Sequence, residues 1–164
     1  MFEKRISTAA STAQKRGPGV AKTKRGKGSK LMAIADRHGF PLRICVGSAS
    51  SHEVTLVEGT LDNLVVDEAP EKLIGDKAYD SDPFDARLER ERAIELIAPH
   101  KSNRRKLPTQ DGRKLRRYRN RWRIERLSAL LQSFRRLVSH YEYHLANFLG
   151  FARLACMLIA LRQF

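Results

Sequence analysis

Two carboxylates stand where an acidic side chain can do chemistry. Glu125 is the lone acid in the basic run RRYRNRWRIERL, from Arg116 to Leu127, and Asp76 closes a short apolar run in KLIGDKAYDSD. Carboxylate oxygens are the hard ligands that Mg²⁺ and Mn²⁺ prefer, and the ends of buried strands are where α/β sheets collect functional groups. At about 100° per residue, Tyr118, Arg121, Glu125 and Gln132 share one helical face, opposite an apolar stripe of Ile124, Leu127, Leu131, Phe134 and Val138. Glu125 therefore points away from the core, among hydrogen-bonding groups, and Asp76 is its candidate partner as a metal ligand. A plainer account stays open at this point: Arg121 precedes Glu125 by four residues, and such ion pairs contribute only about 0.2–0.5 kcal/mol.

Holding two such groups together requires a sheet and a helix laid across it. KLMAIAD and FPLRICVGS, separated by Arg37, His38 and Gly39, predict a β-hairpin with Asp36 in its turn. Ser50 and Glu53 have the spacing of a capping box, with Val54, Val57, Leu61, Leu64 and Val65 at helical intervals behind it. A buried strand over Leu73–Gly75 follows, then a helix with Pro83 in its first turn, then a brief strand in IELIAP. A polar basic loop leads to one amphipathic helix from about Leu115 to His140 and another from about Leu145 onward. The order β-β-α-β-α-β-loop-α-α implies an α/β domain with a mixed sheet. Residues 1–28 are set apart as a basic, flexible N-terminal segment and 29–164 as the folded domain; Ser7 to Lys30 contains no acid.

Charge narrows the choice of partner. Thirty-two Lys and Arg against 18 Asp and Glu give a net +14, an excess that attracts a polyanion, with nucleic acid ahead of a merely solubilising surface. Twelve of the basic residues lie between Lys101 and Arg126, against Asp111 and Glu125 alone. GKGSK lacks the spacing of a phosphate-binding loop. Cys45 and Cys156 are too far apart in sequence for a zinc module and suggest no disulfide framework, which suits a reducing cytoplasm. LANFLGFARLACMLIAL is short for a membrane span and carries Arg153, so a packed helix is expected and no membrane partner. FEKRISTAASTAQKR does not read as a secretory signal. His38, His52 and His100 fall at turns or element ends and suit surface roles; His140 and His144 have helical spacing but no third ligand.

LIGDKAYDSD followed by Y-x-x-R-x-x-x-E at Tyr118, Arg121 and Glu125 resembles the catalytic core of bacterial insertion-sequence transposases of the DDE class. TKRGKGSKLMAIADRHGFPL, SASSHEVTLVE and NFLGFARLACMLIALR are similar to the same family's connecting segments, so the likeness runs from about Gly17 to the C-terminus. It implies an RNase H-like fold, with the second catalytic aspartate at Asp76 and the catalytic glutamate at Glu125, both ligands of a two-ion Mg²⁺ or Mn²⁺ site. It implies double-stranded DNA as partner, both transposon ends and target, with Tyr118 and Arg121 beside the scissile phosphate and Arg117, Lys24, Arg25 and Lys27 on the DNA. It further implies a homodimer on DNA and a cytoplasmic, nucleoid-associated protein.

Two departures qualify the likeness. Gln132 stands where the family has a lysine, seven residues after the glutamate, which exchanges a charge for a hydrogen-bonding amide. The family's first aspartate falls in RISTAAST, around Ser7, where this chain has no acid; Glu3 is too early and Asp36 too late. The sheet is therefore expected to be incomplete at its first strand, with Phe2 to Ile6 a partial substitute or an upstream transposase fragment supplying the rest. Two functions follow as alternatives: a transposase core weak in strand cleavage, or a noncatalytic DNA-binding remnant.

Overall fold

The computed structural model describes residues 3–12, 20–23, 26–62, 70–110, 112–139 and 141–162. Six strands, β1 (Glu3–Thr12), β2 (Ala21–Thr23), β3 (Gly26–Ala35), β4 (Pro41–Ser48), β5 (Lys72–Ile74) and β6 (Glu95–Ile97), form one mixed sheet. Along it β3, β1, β5 and β6 are successive neighbours, and β4 and the short β2 both pair with β3. β1, β3 and β4 are antiparallel to one another in turn, whereas β1, β5 and β6 are parallel.

The opening strand differs from the sequence expectation. Glu3–Thr12, assigned to a flexible segment, is the centre of the sheet, pairing with β3 from Arg5↔Ala35 to Thr12↔Gly28 and with β5 from Glu3↔Lys72 to Arg5↔Ile74. The physical reason is that a central strand draws its stability from hydrogen bonds on both edges, which the small, polar ISTAAST run does not advertise. The expected break at residue 28 likewise falls inside β3.

Each face of the sheet carries its own core. Met32 and Ile34 of β3, with Ile6 and Leu73, pack under helices α1 (Glu53–Leu61) and α2 (Asp82–Arg92). Leu31, Ala33 and Ala35, the alternate residues of β3, face α4 (Trp122–Gln132), α5 (Arg135–Val138) and α6 (Leu145–Leu161). The remaining helix, α3 (Gly112–Leu115), is a single turn. The hairpin forms as predicted: Asp36 Oδ1 accepts from the amides of His38 and Phe40 at 2.8 and 2.9 Å. Gly39 turns the chain at φ +93°, and a Cβ there would sit 3.2 Å from the Arg123 carbonyl oxygen, so the hairpin tip seats against the start of α4.

Other local expectations shift. The capping box at Ser50 does not form; His52 precedes α1, and Lys30 reaches the Ser51 carbonyl at 2.9 Å instead. Leu64 and Val65 lie outside the described residues. The single helix over 115–140 is divided into a 3₁₀ segment (Arg116–Arg121), α4 and α5. The interruption at Ser133–Phe134, where the Ser133 hydroxyl donates to the Leu130 carbonyl, changes the phase of the chain. Leu137 is consequently buried and Val138 is 42% exposed, the reverse of a continuous helix.

The turn after β5 is tied to the sheet and the core. Gly75 continues the parallel ladder through its amide to the Ile97 carbonyl at 3.0 Å, and the fully buried Tyr79 ring covers it. Four residues beyond Asp76, Asp80 anchors the basic loop after β6: it accepts from the Lys101 amide at 2.7 Å, from His100 Nδ1 at 2.8 Å and from Arg104 at 3.1 Å. Arg104 also pairs with Asp82 at 2.7 Å. Burial opposes ionisation of Asp80, but the Lys101 amide, His100 and Arg104 outweigh it and hold the carboxyl below the usual carboxylate range. His100 is thus part of a half-buried hydrogen-bond network with Asp80 rather than an ordinary surface residue.

Asp85, on the first turn of α2, meets the opposite balance. Its Oδ1 is buried without a hydrogen-bond partner among the described residues, and burial, then the charges of Asp80 and Asp82, push its carboxyl up to about 7. The folded chain then holds a proton that the unfolded chain releases near 3.8, so stability falls as pH rises from about 4 to about 7 and is level above. Asp85→Asn should gain over the natural chain across that window; at pH 8 we expect a Tm about 2–4 °C higher, the shift that about 1 kcal/mol gives at this size after solvent screening. Identical melting curves for the two proteins at pH 5 and pH 8 would contradict this. Gly75→Ala should lose about 1–3 kcal/mol in urea unfolding, because its Cβ would meet Tyr79 Cδ2 at 2.7 Å and Ile6 Cδ1 at 3.3 Å; an unchanged midpoint would show that the ring has room to move.

Candidate active site at the end of the parallel strands

Asp76 lies just past β5, where the chain leaves the sheet. Its backbone is extended, and its Oδ1 accepts from the Ala78 amide at 2.8 Å, capping the 3₁₀ turn Lys77–Tyr79. The carboxylate is thereby held at the carboxyl end of the parallel strands by its own following turn.

The second carboxylate arrives from the other side of the sheet. The 3₁₀ segment Arg116–Arg121 packs beside β5, and α4 continues from it over β1 and β3, where Ala33 and Ala35 present little bulk. In a 3₁₀ helix residues three apart eclipse, which stacks the Arg121 guanidinium over the Tyr118 ring at 5.4 Å and lets it donate to the Tyr118 hydroxyl. Its other nitrogen pairs with Glu125 Oε1 at 2.7 Å. Burial works against the Arg121 charge, but the Tyr118 hydroxyl, then Glu125 and Asp76, outweigh it and hold the guanidinium more firmly protonated. Arg121 thus lies within the fields of both carboxylates, and the i to i+4 ion pair with Glu125 is present. Glu125 keeps 51% of its side chain open to solvent, against 29% for Arg121.

The other residues expected at the site are more dispersed. Arg117 is half-buried in the same 3₁₀ segment. Gln132 ends α4, exposed, and lines an open cleft of about 640 Å³ with Arg135, Arg136, Val138, Ser139 and Tyr141, two helical turns from Glu125. Lys27 lies in β3, opposite Lys22, whereas Lys24 and Arg25 lie outside the described residues. Trp122 is exposed at the start of α4, with the Arg123 guanidinium 5.5 Å from its ring. His144 precedes α6, and His140 lies outside the described residues. The basic segment is partly neutralised from within: Lys106 pairs with Asp82 at 3.4 Å and Lys114 with Glu95 at 2.6 Å. Arg105, Arg116, Arg119 and Arg126 are exposed.

Asp76 and Glu125 have the donor chemistry for a hard divalent ion, but they are only two. Among the described residues no three His, Cys, Asp or Glu side chains gather as a metal-binding group. Extending the β1–β5 register two residues beyond Arg5↔Ile74 brings Ser7, not an acid, level with Asp76. The described residues therefore do not by themselves make up a two-ion carboxylate site.

The acidic anchor formed by Asp80, Asp82, His100 and Arg104 was not anticipated from the sequence. Its members are up to 24 residues apart, and only the DSD spacing next to a basic loop hints at it. The 17-residue helix expected over Leu145–Leu161 is present as α6, and among the described residues no helix is long and apolar enough to cross a membrane.

Over residues 6–160 the chain matches the transposase DDE domain family. It is also 32% identical over 136 residues, 82% of this chain and 98% of the other, to a Brucella ovis protein bearing the name of a transposase for insertion sequence element IS6501. DDE domains in general work on DNA with divalent metal ions. A carboxylate at the end of the central parallel strands, a Tyr-Arg-Glu helix laid across them and these two matches agree: the chain belongs to the DDE transposase family of insertion sequences.

Proposed function

We propose that the chain binds the DNA of its element's ends through the basic segment Lys101–Arg126, and that Asp76 and Glu125 are the second and third acids of an RNase H-like DDE site. The observation that carries this is Arg121, held between Tyr118 and Glu125 and within the field of Asp76. The sheet order, with β1 central between an antiparallel hairpin and two parallel strands, supports the RNase H-like reading. Tyr118, Arg121, Arg117 and Gln132 would then line the DNA path, and the exposed arginines would hold phosphates without reading sequence. Lys24, Arg25 and Lys27 extend the same role by resemblance alone, as do the homodimer on DNA and the upstream fragment.

Phosphoryl transfer by this family needs a full set of hard ligands, and Ser7 leaves the set short at β1. We therefore expect this chain to bind DNA while cutting it weakly, a behaviour that also fits the noncatalytic remnant. Purified protein should shift a fluorescent 30-bp duplex with an affinity that falls steeply as salt rises, and should nick supercoiled plasmid slowly in Mg²⁺ or Mn²⁺. Ser7→Asp should raise metal-dependent nicking, and Glu125→Gln in that background should abolish the gain. Fast nicking by the unaltered chain, or a Ser7→Asp gain indifferent to Glu125, would refute the assignment; an equal preference for RNA would refute DNA as its partner.

A further inference from the structure

We propose that Asp80 is a positioning residue, clasping the basic loop Lys101–Gln110 onto the Asp76 turn so that its cations face the DNA that passes Asp76. This rests on the DNA-binding role proposed above.

Asp80 is only 5% exposed, yet it is not buried to fill the core. Both carboxylate oxygens are engaged by the same loop: Oδ2 by the Lys101 amide, Oδ1 by His100 and Arg104. Its carbonyl accepts from Lys101 Nζ at 3.1 Å. Each partner then holds a further part of the loop. Arg104 donates to the Leu107 carbonyl at 3.2 and 3.3 Å. His100 Nε2 accepts from the Thr109 amide at 3.1 Å, so the imidazole proton lies on Nδ1, toward Asp80. Gln110 closes the loop onto β6, accepting from the Ala98 amide at 3.1 Å and donating to the Leu96 carbonyl at 3.2 Å.

A polar loop of this length without regular structure has few other means of keeping one shape, and charge-assisted hydrogen bonds to a buried carboxylate are among the stronger ones. The loop's fixed end is four residues from Asp76, on a turn that Tyr79 ties to the core. Arg104 is turned inward, its side chain 12% exposed, while Arg105 and Lys106 point to solvent. Of this trio, Arg104 is the clasp, Lys106 pairs with Asp82, and Arg105 is the cation offered to phosphate.

Asp80→Asn decides the matter, because simple charge and positioning predict opposite signs. Removing a negative charge beside a polyanion site should tighten DNA binding by Coulomb attraction alone, whereas opening the clasp should weaken it. We expect about tenfold weaker binding of a 30-bp duplex, with faster hydrogen exchange at the Lys101 and Thr109 amides and unchanged exchange in β1 and β3. Arg104→Ala should weaken binding similarly, and the double variant should be no weaker than either single one, as expected for two parts of one device. Losses that add would make Arg104 a direct phosphate contact and overturn the assignment. Asp80→Asn binding as tightly as the natural chain or tighter, with the loop amides still protected, would also overturn it. If the natural chain binds no DNA, the functional reading fails with it, and the exchange of the loop amides alone then decides whether the clasp exists.

Discussion

Backbone pairing along both edges of β1 is the constraint on which the rest of the structure depends. On one side it is antiparallel to β3, which carries the hairpin; on the other it is parallel to β5, which leads directly to Asp76. Among the described strands, β1 alone joins these two halves of the sheet. Without it β3 and β5 would each expose an unpaired edge, and the turn bearing Asp76 would lose its registration against the surface that carries α4. The two cores, one under α1 and α2 and one under α4, α5 and α6, are opposite faces of that same pairing.

Electrostatics at the site follow from placing acids and bases on different elements. The 3₁₀ segment before α4 packs beside β5, and Arg121, paired with Glu125 and within the field of Asp76, balances the negative charge of both carboxylates. The same economy of charge governs the basic loop. Arg104, Lys106 and Lys114 are paired with Asp82 or Glu95, so the segment offers fewer cations to a polyanion than its composition implies. Those pairs shape the loop, and the exposed arginines beyond them carry the field outward.

Much of the domain was legible in the sequence, for reasons that differ by element. The hairpin announced itself through apolar alternation and an Asp-x-x-Gly turn, and Asp36 and Gly39 behave accordingly. α6 was plain from its largely apolar run, interrupted by Arg153. β1 was not legible, since ISTAAST lacks the bulky residues by which strands are recognised and takes its stability from its neighbours. Nor was the division of the last amphipathic stretch, where Ser133 satisfies a backbone carbonyl and turns Leu137 inward. The Asp80 anchor escaped notice because its partners come from across a strand and a helix.

Sequence alone determined the family, because Asp76 and the Tyr118-Arg121-Glu125 spacing are local patterns whose residue types carry their own chemistry. It also determined the lack of an acid around Ser7 and the sign of the charge. Tertiary structure decided that β1 is central, that Arg121 feels both carboxylates, and that Asp80 rather than a core residue holds the basic loop. Those are questions of distance between segments far apart in the chain, and distance is set by strand register and packing, which no local pattern encodes.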